Sequence, residues 1–193
     1  LRTGQVEPLL HRFTPSVGDC LFIPAGTVHA IGAGVMLVEV QQMSDATFRV
    51  FDWGRTGPDG QPRPLHIEQA LAVTDFSAGP IHPAQVPAEP LPDDAGTREV
   101  LVSCRYFRLT RYRLRGPVTL GHSGGFTILV GLAGSASVSA WQEAPDAASY
   151  PLELGEARLL PAAIGPCRVT PDVGGAIVLA CDVPTGPDGS IGS

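Results

Sequence analysis

Apolar residues in this chain fall into short runs cut by glycine and proline. Cys20 to Ile23 and Val35 to Gln41 are β-branched and aliphatic stretches too short for helices of ten or more residues, so the pattern predicts strands. "DATFRVFDW" alternates, which puts Thr47, Arg49 and Phe51 on one face of a predicted strand and Phe48, Val50 and Asp52 on the other. Period changes only in "HIEQALAVTDF", where Ile67, Ala70, Leu71 and Thr74 stand at helical spacing and predict one short amphipathic helix. Further on, "EVLVSCRYFRLTRYRL", "FTILVGLAGSASVSAW", "ARLLPAA" and "GGAIVLACDV" are again strand-like, each bounded by Gly, Pro or Asp.

Between the two halves, "GRTGPDGQPRP" reads as a loop from its turn residues. The stretch from Ser77 to Gly96, with five prolines and no periodic apolar pattern, reads as a linker or surface-hugging arm. The predicted division is therefore residues 1–76, a linker over 77–95, and a second β domain over 96–193. An internal echo links the halves. "GDCLFIPAGTVHAIGAGVMLVEV" and "GEARLLPAAIGPCRVTPDVGGAIVLAC" share Gly, an acid, four residues, Pro-Ala, a gap and an apolar strand, as two copies of one β-unit would. The first copy has His29 five residues after Pro24, and the second has Pro166 five residues after Pro161, so only the first is equipped to ligate a metal.

Composition supports this picture: 193 residues, 44% hydrophobic and 17% charged, are enough for a core, and 23 Gly with 19 Pro favour many short strands. A net charge of −6, with every positive charge an arginine and no basic stripe, argues against nucleic acid as a partner. No apolar run reaches the roughly 20 residues of a membrane-spanning helix. Cys20, Cys104, Cys167 and Cys181 lie in or beside apolar runs without a CxxC pair and read as reduced structural thiols, as in a cytoplasmic protein. The arginines at 105, 108, 111, 113 and 115 read as a solvated face or edge-strand protection. The opening "LRTGQVEPLLHRF" shows no signal-peptide pattern, and the expectation is the later part of a longer polypeptide.

The turn G(D/E)xxxxPA(G)xxH, here Gly18 to His29, is similar to the second sequence motif of the cupins, small jelly-roll barrels whose motif histidine binds a metal. Four further signatures narrow the likeness: HxxxxG from His29, E-x-Q-Q-x-S-D from Glu39 to Asp45, TxRxxDW from Thr47 to Trp53, and HIE(K/Q)AL from His66 to Leu71. Together they resemble the type I phosphomannose isomerases, zinc-dependent enzymes that interconvert mannose 6-phosphate and fructose 6-phosphate. The resemblance implies an all-β cupin or jelly-roll fold: the C-terminal part of a catalytic cupin barrel, then a second, metal-free jelly-roll domain. It implies Zn2+ held in part by His29, a sugar pocket lined by Glu39, Asp45 and Arg49, and Arg55 on the substrate phosphate. The family's Gln-x-His pair and further Glu ligand have no counterpart here, so the expected partners are a sugar phosphate and a missing N-terminal half or a covering chain. Three other readings stand beside this one, the weakest a metal-dependent cupin oxygenase, for which His29 brings no second histidine nearby. Glu39, Asp45 and Arg49 also suit a structural ion-pair network, and the whole chain also suits a non-catalytic cupin module that binds a sugar or sugar phosphate. His66 and Glu68 read as helix-capping or surface groups.

Overall fold

A computed structural model describes residues 6–44, 46–140 and 148–184. The chain divides into two compact units, Leu1–Ala84 and Gln85–Ser193, with the boundary inside the proline-rich stretch.

The first unit has little regular structure. Among its described residues there are a 3-10 turn at Glu7–Leu9, helix α1 at Ile67–Val73 and an isolated bridge between Thr56 and Pro62. The helix matches the helical spacing of the sequence, but among the described residues the strands expected at Cys20 to Ile23, Val35 to Gln41 and through Ala46 to Trp53 do not form. Apolar alternation prepares a segment for a ladder, yet the ladder's hydrogen bonds come from a neighbouring strand, and none runs alongside these segments among the described residues. The best defined local feature is the Pro24-Ala-Gly-Thr27 turn. Thr27 N–H donates to the Pro24 carbonyl, and Gly26 takes φ +86°, the position at which this turn type requires glycine. A Cβ there would also stand 2.8 Å from the Val73 carbonyl oxygen, and Asp75 N–H donates to the Gly26 carbonyl, so the turn is held against the end of α1.

The second unit is antiparallel throughout its named strands: β1 (Glu89–Pro90), β2 (Gly96–Ser103), β3 (Arg108–Leu114), β4 (Val118–Leu120), β5 (Thr127–Ala140), β6 (Ser149–Leu152), β7 (Ala157–Leu160) and β8 (Cys167–Asp182). Their order is β1-β2-β3-β8-β5-β6, with β4 added on β8 and β7 on β5. The two long strands each change neighbour along their length. The start of β5 pairs with β7 and its end with β6, while the start of β8 pairs with β4 and its end with β3. Register shifts at Gly131/Ala133 and Gly134/Ala136 mark the bend. Gly134 and Gly175 both take positive φ there, and a Cβ on Gly134 would lie 2.2 Å from the Gly175 carbonyl oxygen, so the two backbones cross where no side chain fits.

That wrapping turns one face of each strand inward. Leu114, Leu129, Val138, Leu152, Val169 and Val178 meet in one core and are nearly or wholly shielded from water. Leu129→Ala is expected to cost about 2–5 kcal/mol, the lost transfer free energy plus a cavity that this tightly knit sheet does little to close. A urea titration of the full chain followed on the β5–β8 signal would read it, and a loss below about 1 kcal/mol would contradict this packing.

The arginine row of β3 is mostly paired, which refines its reading as a solvated face. Arg111 stands directly opposite Glu99 and grips it with two bonds, Nε at 2.7 Å and Nη2 at 2.8 Å, and Arg113 adds a third at 3.3 Å. The Arg111 hydrogen bond chiefly holds the Glu99 carboxyl below its ordinary 4.5, against the opposing pull of burial. A depressed carboxylate stabilises the fold above its unfolded value and loses that contribution as pH falls through the folded value. Stability of the second unit is therefore expected to decline below about pH 4.5, and Glu99→Gln to flatten that acid limb. Denaturant midpoints between pH 7 and pH 3 provide the check, and identical slopes in both proteins would rule Glu99 out as the cause. Cys104, Cys167 and Cys181 are free thiols, and burial pushes Cys167 and Cys181 up toward the protonated, unreactive form.

Candidate functional site

The proposed site residues lie in the first unit, and the structure places one of them, Arg49, at an unforeseen centre, Asp52. Trp53 and Gly54 both take positive φ, and Arg55 N–H donates to the Asp52 carbonyl, so the chain reverses directly after Asp52. The following hairpin is closed by Gly57 N–H on the Gln61 carbonyl and by the Thr56–Pro62 bridge, and it returns Arg63 to the same carboxylate. Arg63 Nε donates to Asp52 Oδ2 at 2.6 Å and its Nη2 pairs with Oδ1, a two-point grip on a carboxylate only 8% exposed. Arg49 Nε lies 3.7 Å from Oδ1. Asp52 is held below the usual carboxylate range first by its hydrogen bond to Arg63 and then by the charges of Arg63, Arg49 and Arg55, with burial opposing.

Arg49 and Asp52 were expected on opposite faces of a strand. Because no strand forms, the local chain geometry lets them approach. Arg49 is positioned further by a bond from Nη1 to the Pro64 carbonyl at 3.1 Å and by a two-way backbone link to His66, whose N–H donates to the Arg49 carbonyl and whose Nδ1 accepts the Arg49 N–H. His66 does occupy the position before α1, but its side chain makes no capping bond and serves Arg49 instead. The proton of the neutral ring then sits on Nε2.

The other expected residues stand apart. His29 is exposed, with Nδ1 2.9 Å from the Thr27 carbonyl oxygen, an arrangement that directs the Nε2 lone pair away from the backbone. Glu39 is exposed, and Arg55 is exposed with its guanidinium 5.5 Å from the Trp53 ring centre. Asp45 lies outside the described residues. Among the described residues no hydrogen bond or ion pair joins His29 or Glu39 to the Asp52 cluster, and no three His, Cys, Asp or Glu side chains converge as a metal site would require. One more polar group escaped sequence reading. The amide oxygen of Gln42, inside the E-x-Q-Q motif, is buried with no hydrogen-bond partner among the described residues. Leaving such a group unsatisfied costs about 1–3 kcal/mol.

The strand arrangement of the second unit is that of the cupin or jelly-roll class. In sequence, the chain is similar to proteins named mannose-6-phosphate isomerase. It is 30% identical over 169 residues to mannose-6-phosphate isomerase ManA of Bacillus subtilis, a match covering 86% of this chain and 50% of that protein. It is 32% identical over 161 residues to mannose-6-phosphate isomerase of Streptococcus mutans, covering 83% and 48% respectively. The crystal structure of the Bacillus subtilis mannose 6-phosphate isomerase superposes with a TM-score of 0.56 at 21% identity, over 72% of this chain and 40% of that one. The chain thus spans about half the length of the curated relatives it matches. No protein-family model matches it. Among the described residues no helix is long and apolar enough to cross a membrane.

Proposed function

We propose that this chain is the pocket-bearing part of a mannose-6-phosphate isomerase, catalysing aldose-ketose exchange between mannose 6-phosphate and fructose 6-phosphate. The observation that carries the reading is 30% to 32% identity to isomerases across 83% to 86% of the chain. Exchange through an enediol takes a proton from C2 of the open-chain aldose and delivers it to C1, and negative charge builds on the oxygens between these events. Arg49, held in place by Asp52, Pro64 and His66, suits the role of the cation that stabilises this charge. Glu39 and Asp45 are the groups assigned to move the proton or orient the sugar hydroxyls. Arg55, exposed and still able to offer its fork, is assigned to the phosphate.

Zinc belongs to this reading only as far as His29 reaches. Its ring geometry suits a ligand, but a catalytic zinc site takes about three protein ligands, and the described residues do not converge to supply them. No chemical step is therefore assigned through the metal. The remaining ligands are assigned to a further polypeptide segment or covering chain.

The deciding experiment assays mannose 6-phosphate turnover and bound zinc after dialysis, for the 193-residue chain alone and joined behind the N-terminal half of the Bacillus subtilis isomerase. The chain alone is expected to retain no stoichiometric zinc and to turn over no substrate, while the joined protein gains both. Turnover by the isolated chain with one tightly held zinc would show that the ligands lie within it. Sugar-phosphate binding without turnover in a well-folded joined protein would favour the binding-module reading.

A further inference from the structure

At one end of the second unit the inward-facing row changes character. On β3 the positions 108, 110, 112 and 114 share a face that ends in the core residue Leu114, and on β8 the positions 176, 178, 180 and 182 do the same from Ala176 outward. The outermost members of these rows are Arg108 and Asp182, which are direct cross-strand partners, and Asp182 is also partnered by Thr127 on β5. Thr127 Oγ1 donates to Asp182 Oδ1 at 2.6 Å, and Arg108 Nη2 donates to Oδ2 at 3.3 Å. Above this row lies a cavity of about 490 Å³, walled also by Tyr112, Thr119, His122 and Ser123. The size falls within the range of small-molecule sites.

A polar row that merely closed the end of the core would satisfy itself. This one does not. Among the described residues the Tyr112 hydroxyl, the His122 ring and the Nε and Nη1 groups of Arg108 make no hydrogen bond to the protein, and the Arg108 side chain remains 46% exposed while Asp182 is 10% exposed. The glycine-rich turn leaves room for the His122 ring, since a Cβ on Gly125 would stand 3.1 Å from its Cε1.

We propose that this cavity is a binding site for a neutral polyhydroxylated small molecule, a free sugar or polyol. Charge selects the class. Arg108 and Asp182 cancel, so a phosphate dianion would face a carboxylate with no uncompensated cation to hold it. A polyol instead meets alternating acceptors and donors: the carboxylate, the guanidinium, the three hydroxyls of Tyr112, Thr119 and Ser123, and an imidazole, with the Tyr112 ring as an apolar wall. Every lining residue lies in the second unit, so the inference does not depend on the isomerase reading.

The test titrates D-mannitol, and separately sodium phosphate, into the 15N-labelled full chain and follows backbone amide shifts. Saturable shifts with mannitol, with an apparent Kd of about a millimolar, are expected at Arg108, Tyr112 and residues 121–125. Tyr112→Phe removes one hydroxyl that no protein group uses, and should weaken binding about three- to tenfold, the value of one hydrogen bond, with an unchanged melting temperature. Ser123→Ala provides a second variant at an exposed position. Non-saturating shifts spread over the surface, saturation by phosphate in place of mannitol, or full affinity in both variants would each overturn the proposal.

Discussion

Amide protons of residues 6–44 and 46–84 that lie outside helix α1 and the hydrogen-bonded Asp52 cluster are expected to exchange with solvent at close to the unstructured rate in the 193-residue chain, while those of β5 and β8 exchange about a thousandfold more slowly or slower still. The contrast follows from what each unit buries. Among the described residues of the first unit only Val6 and Ala70 are buried apolar side chains, whereas Val17, Met36 and Met43 are almost fully exposed and Leu37, Val38, Phe48 and Trp53 substantially so. Hydrophobic burial is the main favourable term in folding, and conformational entropy opposes it at about 1–2 kcal/mol per ordered residue. A stretch of this length with two small buried apolar groups has little to set against that cost. The second unit, by contrast, has a continuous core and ladders along each of its named strands. Exchange mass spectrometry resolves the two directly, and protection over residues 20–53 equal to that of β5 would mean that the first unit is held by interactions beyond those described. Slow exchange that appears only after a complementing chain is added would identify what covers the apolar side chains.

Replacing Arg49 by alanine in an active joined protein is expected to lower turnover by about 100- to 1,000-fold, the loss typical of removing one preorganised donor to developing charge. Zinc content should be unchanged. Arg55→Ala should instead act mainly on KM, because a contact to a phosphate remote from C1 and C2 contributes equally to ground and transition states. The Asp52 cluster makes the distinction sharp. Arg49 and Arg63 both serve a buried carboxylate, so a purely structural role for Arg49 predicts that Arg49→Ala lowers the melting temperature and that kcat and zinc fall together. Retained stability with a selective loss of kcat is the signature of the chemical role. Equal melting-temperature losses in Arg49→Ala and Arg63→Ala, with turnover falling in proportion, would leave only the ion-pair network.

The second unit was legible in the sequence because its information is local. Alternation in "FTILVGLAGSASVSAW" and "GGAIVLACDV" corresponds to β5 and most of β8, since each strand carries both its inward face and its bounding glycines. Strand β8 nevertheless begins at Cys167, before the reach of that pattern, because Pro171 and the following polar residues are tolerated where the strand bends and changes neighbour. The short β4 and β6 left no periodic signal at all. In the first unit the same alternation misled, since hydrophobic pattern reports a segment's readiness to pair and says nothing about whether a partner strand is at hand. The Asp52 centre was hidden for a related reason. Its carboxylate, Arg49 and Arg63 are spread over fifteen positions and meet only through the reversal at Trp53 and Gly54 and the hairpin that follows, whose charged residues in sequence look like an ordinary polar loop.

Strand β8 is the last of the described strands and also lies in the middle of the sheet. Its contacts are accordingly remote in sequence, with Thr127 and Asp182 meeting across 55 positions. Local structure alone therefore gives no stable nucleus, and closure of this unit belongs with the slower, non-local β folders, at milliseconds to seconds. As the chain emerges during synthesis, β3 and β5 must wait with their inner edges unpaired until β8 arrives between them. Such open edges are where strands of neighbouring molecules add, so the interval before β8 inserts is when this chain is most exposed to misassembly.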